Sequence, residues 1–206
     1  MVVALGLLGG PSYGLSEAAF HADVSPSSAQ REFSARLIWQ IGPKTIQAQL
    51  FVKRDRYRIE PRGGIKTEFG YANVVIVRLD RQEVWHVISR RRLVIVTPLT
   101  PRYRLPFSVH LPGELERTFV GEAFVADRPA RLYDVLVRDH GEGERYYQWV
   151  DAERNVLLRL MSQDRAWSVQ YEHVVLSDQP EYFFETPLGY RKIRIPDMQS
   201  DFEFAF

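Results

Sequence analysis

From Phe33 onward, apolar and polar positions alternate along the chain with a period of two. Phe33, Ala35, Leu37 and Trp39 alternate with Ser34, Arg36, Ile38 and Gln40, which puts the two sets on opposite faces of a strand. Gly42-Pro43-Lys44 breaks the run. Ile46, Ala48, Leu50 and Val52 then alternate with Thr45, Gln47, Gln49 and Phe51. Two half-buried strands around a Gly-Pro turn predict a hairpin. A shorter strand is expected at Arg56–Glu60, followed by a loop opening at Pro61-Arg62-Gly63-Gly64. Three further runs, Val74–Leu79, Val84–Ile88 and Leu93–Thr97, are separated by connections as short as antiparallel neighbours require.

Residues 98–112 interrupt this grammar. Pro98, Pro101, Pro106 and Pro112 forbid a regular helix or a central strand, and Tyr103, Leu105, Phe107 and Val109 stand between them. The pattern predicts an irregular loop apolar enough to lie on something. Strands resume at Glu116–Val120, Ala123–Ala126, Ala130–Arg138, Arg145–Val150, Val156–Ser162 and Trp167–Leu176, with turn residues at strand-length intervals. No stretch after Phe33 carries a helical period. Val74–Val77, Leu93–Val96 and Val156–Leu158 are apolar at successive positions, so they leave no clean polar face. Two architectures satisfy that. In one, an ordinary core lies on one side and crossing elements cover the other. In the second, a curved sheet encloses an apolar cavity.

Composition narrows the function classes. The chain has 206 residues, 45% of them hydrophobic and 13% aromatic, enough to bury one core. Its net charge is +1, from 27 basic and 26 acidic residues. That balance argues against a dedicated nucleic-acid binder, which needs a clear basic excess. Arg far outnumbers Lys, and the Arg90-Arg91-Arg92 triplet fits either a charged turn or a contact for anionic head groups. There is no cysteine, which removes disulfides and thiolate chemistry. The five histidines, His21, His86, His110, His140 and His173, show no metal-ligand spacing. Gly10-Pro11-Ser12-Tyr13-Gly14 matches the nucleophile-elbow pattern but lacks the strand before it that the elbow needs. No acid–base or nucleophile pair can be assembled, so the expectation is a non-enzyme with no cofactor and no metal. Val2–Leu8 is short and apolar, with Ser16-Glu17-Ala18 after it. Residues 1–22 therefore read as an export signal or disordered leader, and 23–206 as one domain.

Several segments, in order, carry a family resemblance: Phe51-Val52-Lys53-Arg54-Asp55-Arg56-Tyr57-Arg58-Ile59-Glu60, Val75-Ile76-Val77-Arg78-Leu79-Asp80, Val84-Trp85-His86-Val87-Ile88, Phe119-Val120-Gly121-Glu122, Tyr147-Gln148-Trp149 and Phe184-Glu185-Thr186-Pro187-Leu188-Gly189-Tyr190. Their order over roughly residues 33–193 resembles the LolA-like superfamily of periplasmic lipoprotein carriers, closest to an outer-membrane lipoprotein-sorting-like branch. The resemblance implies a mainly β fold: one strongly curved antiparallel sheet, a half-open β-barrel of about eleven strands, covered by loops or short helices. It also implies lipid or lipoprotein acyl chains as ligand, inner- or outer-membrane proteins as partners, a periplasmic location and a monomeric state. The long helix that such carriers place before the first strand is not evident between Tyr13 and Gln30.

On that reading, strand alternation nominates Leu37, Trp39, Leu50, Val52, Trp85, Leu132, Trp149, Leu158 and Trp167 to line an apolar cavity. Tyr103, Leu105 and Phe107 of the Pro-rich loop are the expected lid, and Arg58 the expected group for holding the lid or a head group. The plainer role for Arg58 is a cross-strand salt bridge. Two other functions compete with the carrier. One is a cell-envelope interaction or structural module with a filled core. The other is a small outer-membrane barrel, prompted by the alternating Phe202, Phe204 and Phe206.

Overall fold

A computed structural model describes residues 32–138 and 143–195 of the chain. The expected export segment, the elbow-like Ser12 motif, His21, His140 and the C-terminal phenylalanines lie outside the described residues.

The fold is mainly β. The first hairpin is formed by β1 (Phe33–Ile41) and β2 (Lys44–Lys53), with Trp39 opposite Ile46 and Leu37 opposite Ala48. Next come β3 (Arg56–Pro61), a small separate hairpin of β4 (Ile65–Thr67) and β5 (Gly70–Ala72), and then β6 (Val74–Arg78), β7 (Glu83–Ile88) and β8 (Leu93–Pro98). The second half contains β9 (Glu114–Val125), β10 (Arg128–Arg138), β11 (Gly143–Asp151), β12 (Leu157–Ser162), β13 (Trp167–Leu176) and a short β14 (Arg191–Arg194). Twelve of these strands make one sheet in the order β14-β8-β7-β6-β3-β2-β1-β13-β12-β11-β10-β9. All its pairings are antiparallel except β14 on β8, so the sheet is mixed. It is neither closed nor strongly curled, with β14 and β9 as free edges. The sequence resemblance implied about eleven strands and a half-open barrel. The structure has twelve strands in an open sheet, because nothing among the described residues pairs the two edges.

Two local departures from the sequence pattern have physical causes. Glu116–Val120 and Ala123–Ala126 fuse into the single strand β9, and Gly121 continues the strand beside a register shift against Leu132 and Tyr133. The β4–β5 hairpin and β14 are too short for a period to register. The β6–β7 and β7–β8 connections share one design, a single 3-10 turn closed by a left-handed residue, Gln82 at φ 52° and Arg92 at φ 46°. Such a turn followed by a left-handed residue is a standard way to fold a hairpin back on itself.

The core occupies one face of the sheet. Phe33, Leu37, Leu50, Val75, Ile95 and Val169 are buried there, along with many neighbours. A second, smaller cluster of Val74, Ile76, Trp85, Val87, Val94 and Val96 lies on the opposite face of β6–β8, under Phe184. Strands β6–β8 are therefore covered from both sides.

Two buried ionisable groups fix this arrangement. Arg78 is only 3% exposed; it forks onto Asp80 at 2.6 and 2.9 Å and reaches Glu185 at 3.1 Å, its guanidinium 5.2 Å from the Trp85 ring. Its hydrogen bond holds the Asp80 carboxyl below its ordinary value. Arg78→Met should cost about 3 kcal/mol, since a buried ion network loses its cation, and chemical denaturation measures that loss. His86, wholly buried opposite Val75 and Ile95, has its pKa pushed down to about 3, first by burial and then by Arg102. The unfolded chain therefore binds a proton at His86 that the folded chain refuses. The stability this gives is complete above pH 6.5 and is lost as pH falls towards 3. Between about pH 6 and 5 the slope should approach about 1.4 kcal/mol per pH unit. Thermal melts in that window should show it, and His86→Leu should flatten it.

Candidate functional site

The Pro-rich segment from Leu99 to Gly113 joins β8, next to one edge of the sheet, to β9, which is the other edge. It can make that connection only by crossing the core face, and it lies there as a strap. One end is fixed where the Leu99 amide donates to the Gln82 carbonyl at 2.8 Å. In the middle, the Tyr57 hydroxyl accepts from the Leu105 amide at 3.4 Å and the Tyr171 hydroxyl donates to the Pro106 carbonyl. At the far end the Val109 carbonyl accepts from Gln148 at 2.9 Å and from Arg117. Arg117 is itself forked onto Glu114 at 2.7 and 2.8 Å. The strap turns into β9 at Gly113, whose φ of +70° is left-handed and where a Cβ would run into the Arg138 carbonyl. Glycine alone satisfies both constraints.

Between these anchors the strap contributes apolar surface. Tyr103 and Leu105 are buried, and Leu111 is buried near the β9 end. Phe107 packs edge-on against Tyr57 and Phe33, with ring centroids at 5.1 and 5.8 Å, and lies 5.8 Å from Tyr171. Tyr103 meets His86 edge-on at 5.7 Å. Burial raises the pKa of Tyr57 and Tyr171 and pushes that of Tyr103 up to about 12. These phenols therefore stay neutral hydrogen-bonding groups at any physiological pH.

The sequence nominated three lid residues in this strap, and all three sit on the core face. Of the nominated cavity residues, Leu37, Trp39, Leu50, Val52 and Leu158 come together beneath it, buried, and Trp167 packs beside them. Two of the remaining three lie elsewhere. Trp85 belongs to the opposite face, with the Lys192 Nζ 3.2 Å from its ring centroid and its indole N–H donating to Glu83 at 2.8 Å. Leu132 belongs to neither cluster, whereas its register partner Trp149 is half-buried and packs against the core, with the Arg159 guanidinium 5.0 Å from its ring. Alternation tells which residues share a face within one strand. It does not tell which face is inside.

Arg58 also lies away from the strap. It bonds Glu60 at 2.7 Å, donates to the Phe183 carbonyl at 3.0 Å and stacks over the Phe183 ring at 5.6 Å. It thus holds the chain after β13, which crosses the second face on its way to β14. The ion pair it makes is not the cross-strand one expected from the sequence, because Glu60 lies two residues along the same strand, on the same face as Arg58.

The sequence did not single out the apolar rim at β9. Leu115, Phe119, Val120 and Phe124 are each more than half exposed, Phe124 at 77%. Phe119 stacks on Tyr133 at 5.8 Å, and Tyr133 packs against the core, so the rim continues the core face beyond the end of the strap. The signal that could have found it is the density of apolar residues in ELERTFVGEAFV without a clean alternation.

No family model matches the chain, and no curated protein matches it. Solved structures do. MucB is 14% identical, over 79% of this chain and 60% of its own, with a TM-score of 0.49. MucB in the Pseudomonas aeruginosa MucA/MucB complex is 13% identical over 81% and 59%, with a TM-score of 0.47. A putative outer membrane lipoprotein-sorting protein domain from Vibrio parahaemolyticus is 8% identical over 75% and 89%, with a TM-score of 0.31. The chain spans about three-fifths of the length of the MucB chains that it matches. These are likenesses of structure, from which no family is assigned.

The strap should depend on its one central ring. Phe107→Ala should destabilise the fold by about 2–4 kcal/mol, towards the low end because the ring is half-buried. It should also speed tryptic cleavage after Arg102 and Arg104, read by limited proteolysis and mass mapping.

Proposed function

We propose that this chain is a non-enzymatic binding protein for the acyl chains of lipids or lipoproteins, exported to the periplasm and serving transport or sorting in the cell envelope. On this reading the sheet bows around an apolar pocket closed by the strap, with Tyr103, Leu105 and Phe107 as its lid. The observation that carries the reading is the rim of Phe119, Val120 and Phe124 at the end of the strap. A contiguous apolar strip joined to the core face is costly to leave in water and marks a place where apolar material docks. An acyl chain entering there meets Tyr133 and then the strap. The middle of the strap is held by two tyrosine hydroxyls, each worth about 1 kcal/mol net. Alkyl contacts gain about 0.8 kcal/mol per methylene buried, so a chain of ordinary length outweighs both. Leu37, Trp39, Leu50, Val52, Leu158 and Trp167 then form the floor. Inner- or outer-membrane proteins would donate and receive the cargo.

One observation favours a second reading, an interaction or structural module of the envelope with no lipid cargo. The floor residues Leu37, Leu50 and Val52 are wholly buried and Trp39 and Leu158 nearly so, consistent with a filled core.

A single experiment separates the two. Native mass spectrometry of the protein from its own extract, paired with titration of a fluorescent fatty acid, should find co-purifying lipid and saturable binding. Phe119→Asp with Phe124→Asp should weaken the binding by at least about tenfold with an unchanged melting temperature. Absence of both lipid and saturable binding would leave the module reading standing.

A further inference from the structure

The Arg90-Arg91-Arg92 triplet occupies the turn between β7 and β8, and all three side chains are exposed. The parallel strand β14 brings a fourth arginine to the same corner. The Arg191 amide donates to the Arg92 carbonyl at 2.9 Å, and the Arg191 side chain is exposed as well. No salt bridge among the described residues engages any of the four. The adjacent β4–β5 hairpin, whose Gly70 faces Ile88 and Arg91, adds Lys66 and Glu68, which offset each other. The corner is therefore locally basic on a chain whose net charge is only +1.

An apolar tip stands beside it. Pro187–Tyr190 is a turn closed by the Tyr190 amide on the Pro187 carbonyl at 3.2 Å, with Gly189 at φ +76°. Its apex residue, Leu188, is 100% exposed and lies three residues before Arg191. Tyr190 is packed into the second-face cluster, so the tip is held on a firm base.

We propose that this corner docks the protein on an anionic membrane surface, with the four arginines on lipid phosphates and Leu188 inserted at the level of the head groups. Edge protection does not account for the pattern. The triplet lies in a hairpin turn, which has no row of unpaired ladder groups to guard, and a guarding charge needs no exposed leucine next to it. Clustered basic residues gain from the negative surface potential of a membrane, each adding a similar increment. A single inserted leucine adds apolar burial that a soluble polyanion cannot offer. The inference is independent of acyl-chain binding, since it uses no residue of the strap or the β9 rim.

The test is flotation of the intact chain with vesicles, either pure phosphatidylcholine or one-third phosphatidylglycerol, at about 50 mM salt, where the Debye length is still above 10 Å. The wild type should float only with the anionic vesicles and should be released at about 0.5 M salt. R90Q/R91Q/R191Q should bind roughly a hundredfold more weakly, and Leu188→Ser about tenfold more weakly. All four substituted side chains are exposed, so melting temperatures should be unchanged. A control, R62Q/R131Q/R165Q, removes three exposed arginines from elsewhere and should bind nearly as the wild type does. Three results would overturn the proposal: no flotation of the wild type at low salt, an equal loss in the control, or release by inorganic phosphate beyond that by chloride of matched ionic strength. The last would mark a free-anion site.

Discussion

Strands β6, β7 and β8 are apolar on both faces, so each face must be taken out of water by another part of the chain. A sheet lets side chains point to two sides, and a strand such as Val74-Val75-Ile76-Val77 spends apolar residues on both. The strap answers this on one face through Tyr103 and Leu105. On the other face, the chain after β13 lays Phe184 over Ile76, Trp85 and Val96 before β14 joins the edge. Much of the irregular chain length in this protein is thus committed to covering two sides of a few strands.

The two covers are fastened differently. The strap is held in its middle by neutral hydrogen bonds to tyrosines and by one aromatic ring among three others, and at its β9 end by an amide and the Arg117 guanidinium. The second cover is held by guanidinium groups: Arg58 on the Phe183 carbonyl, and Arg78 on Glu185 and beneath Trp85. Removing a buried charge leaves its partners uncompensated, whereas a neutral bond to a hydroxyl can exchange for water at small net cost.

The sequence announced most of this where patterns are long and regular. The alternation in β1 and β2 gave both strands and their turn, and the prolines of 98–112 marked the strap and its apolar character. Inside and outside were not readable for Trp85 and Leu132, because a period of two is blind to which face is covered. Arg58 presented as a residue for the lid because Tyr57 beside it does touch the strap; adjacent residues of a strand point apart, and the two went to different covers. The β9 rim escaped notice because two register shifts in one strand hide its alternation, leaving Phe119 and Val120 as successive exposed apolar positions.

The place of β1 in the sheet has a consequence of its own. It is the first described strand, yet it lies in the middle, between β2 and β13, with Phe33 opposite both Val52 and Leu176. Its first neighbour is local and forms early, but its second is supplied only after nearly every other strand has been made. Until then a fully apolar face has an unpaired backbone edge beside it, which invites pairing with other chains. The order of events during synthesis therefore matters for this protein: a central seam of its sheet is closed by nearly its last long described strand, and the interval before that is when it is most exposed to misassembly.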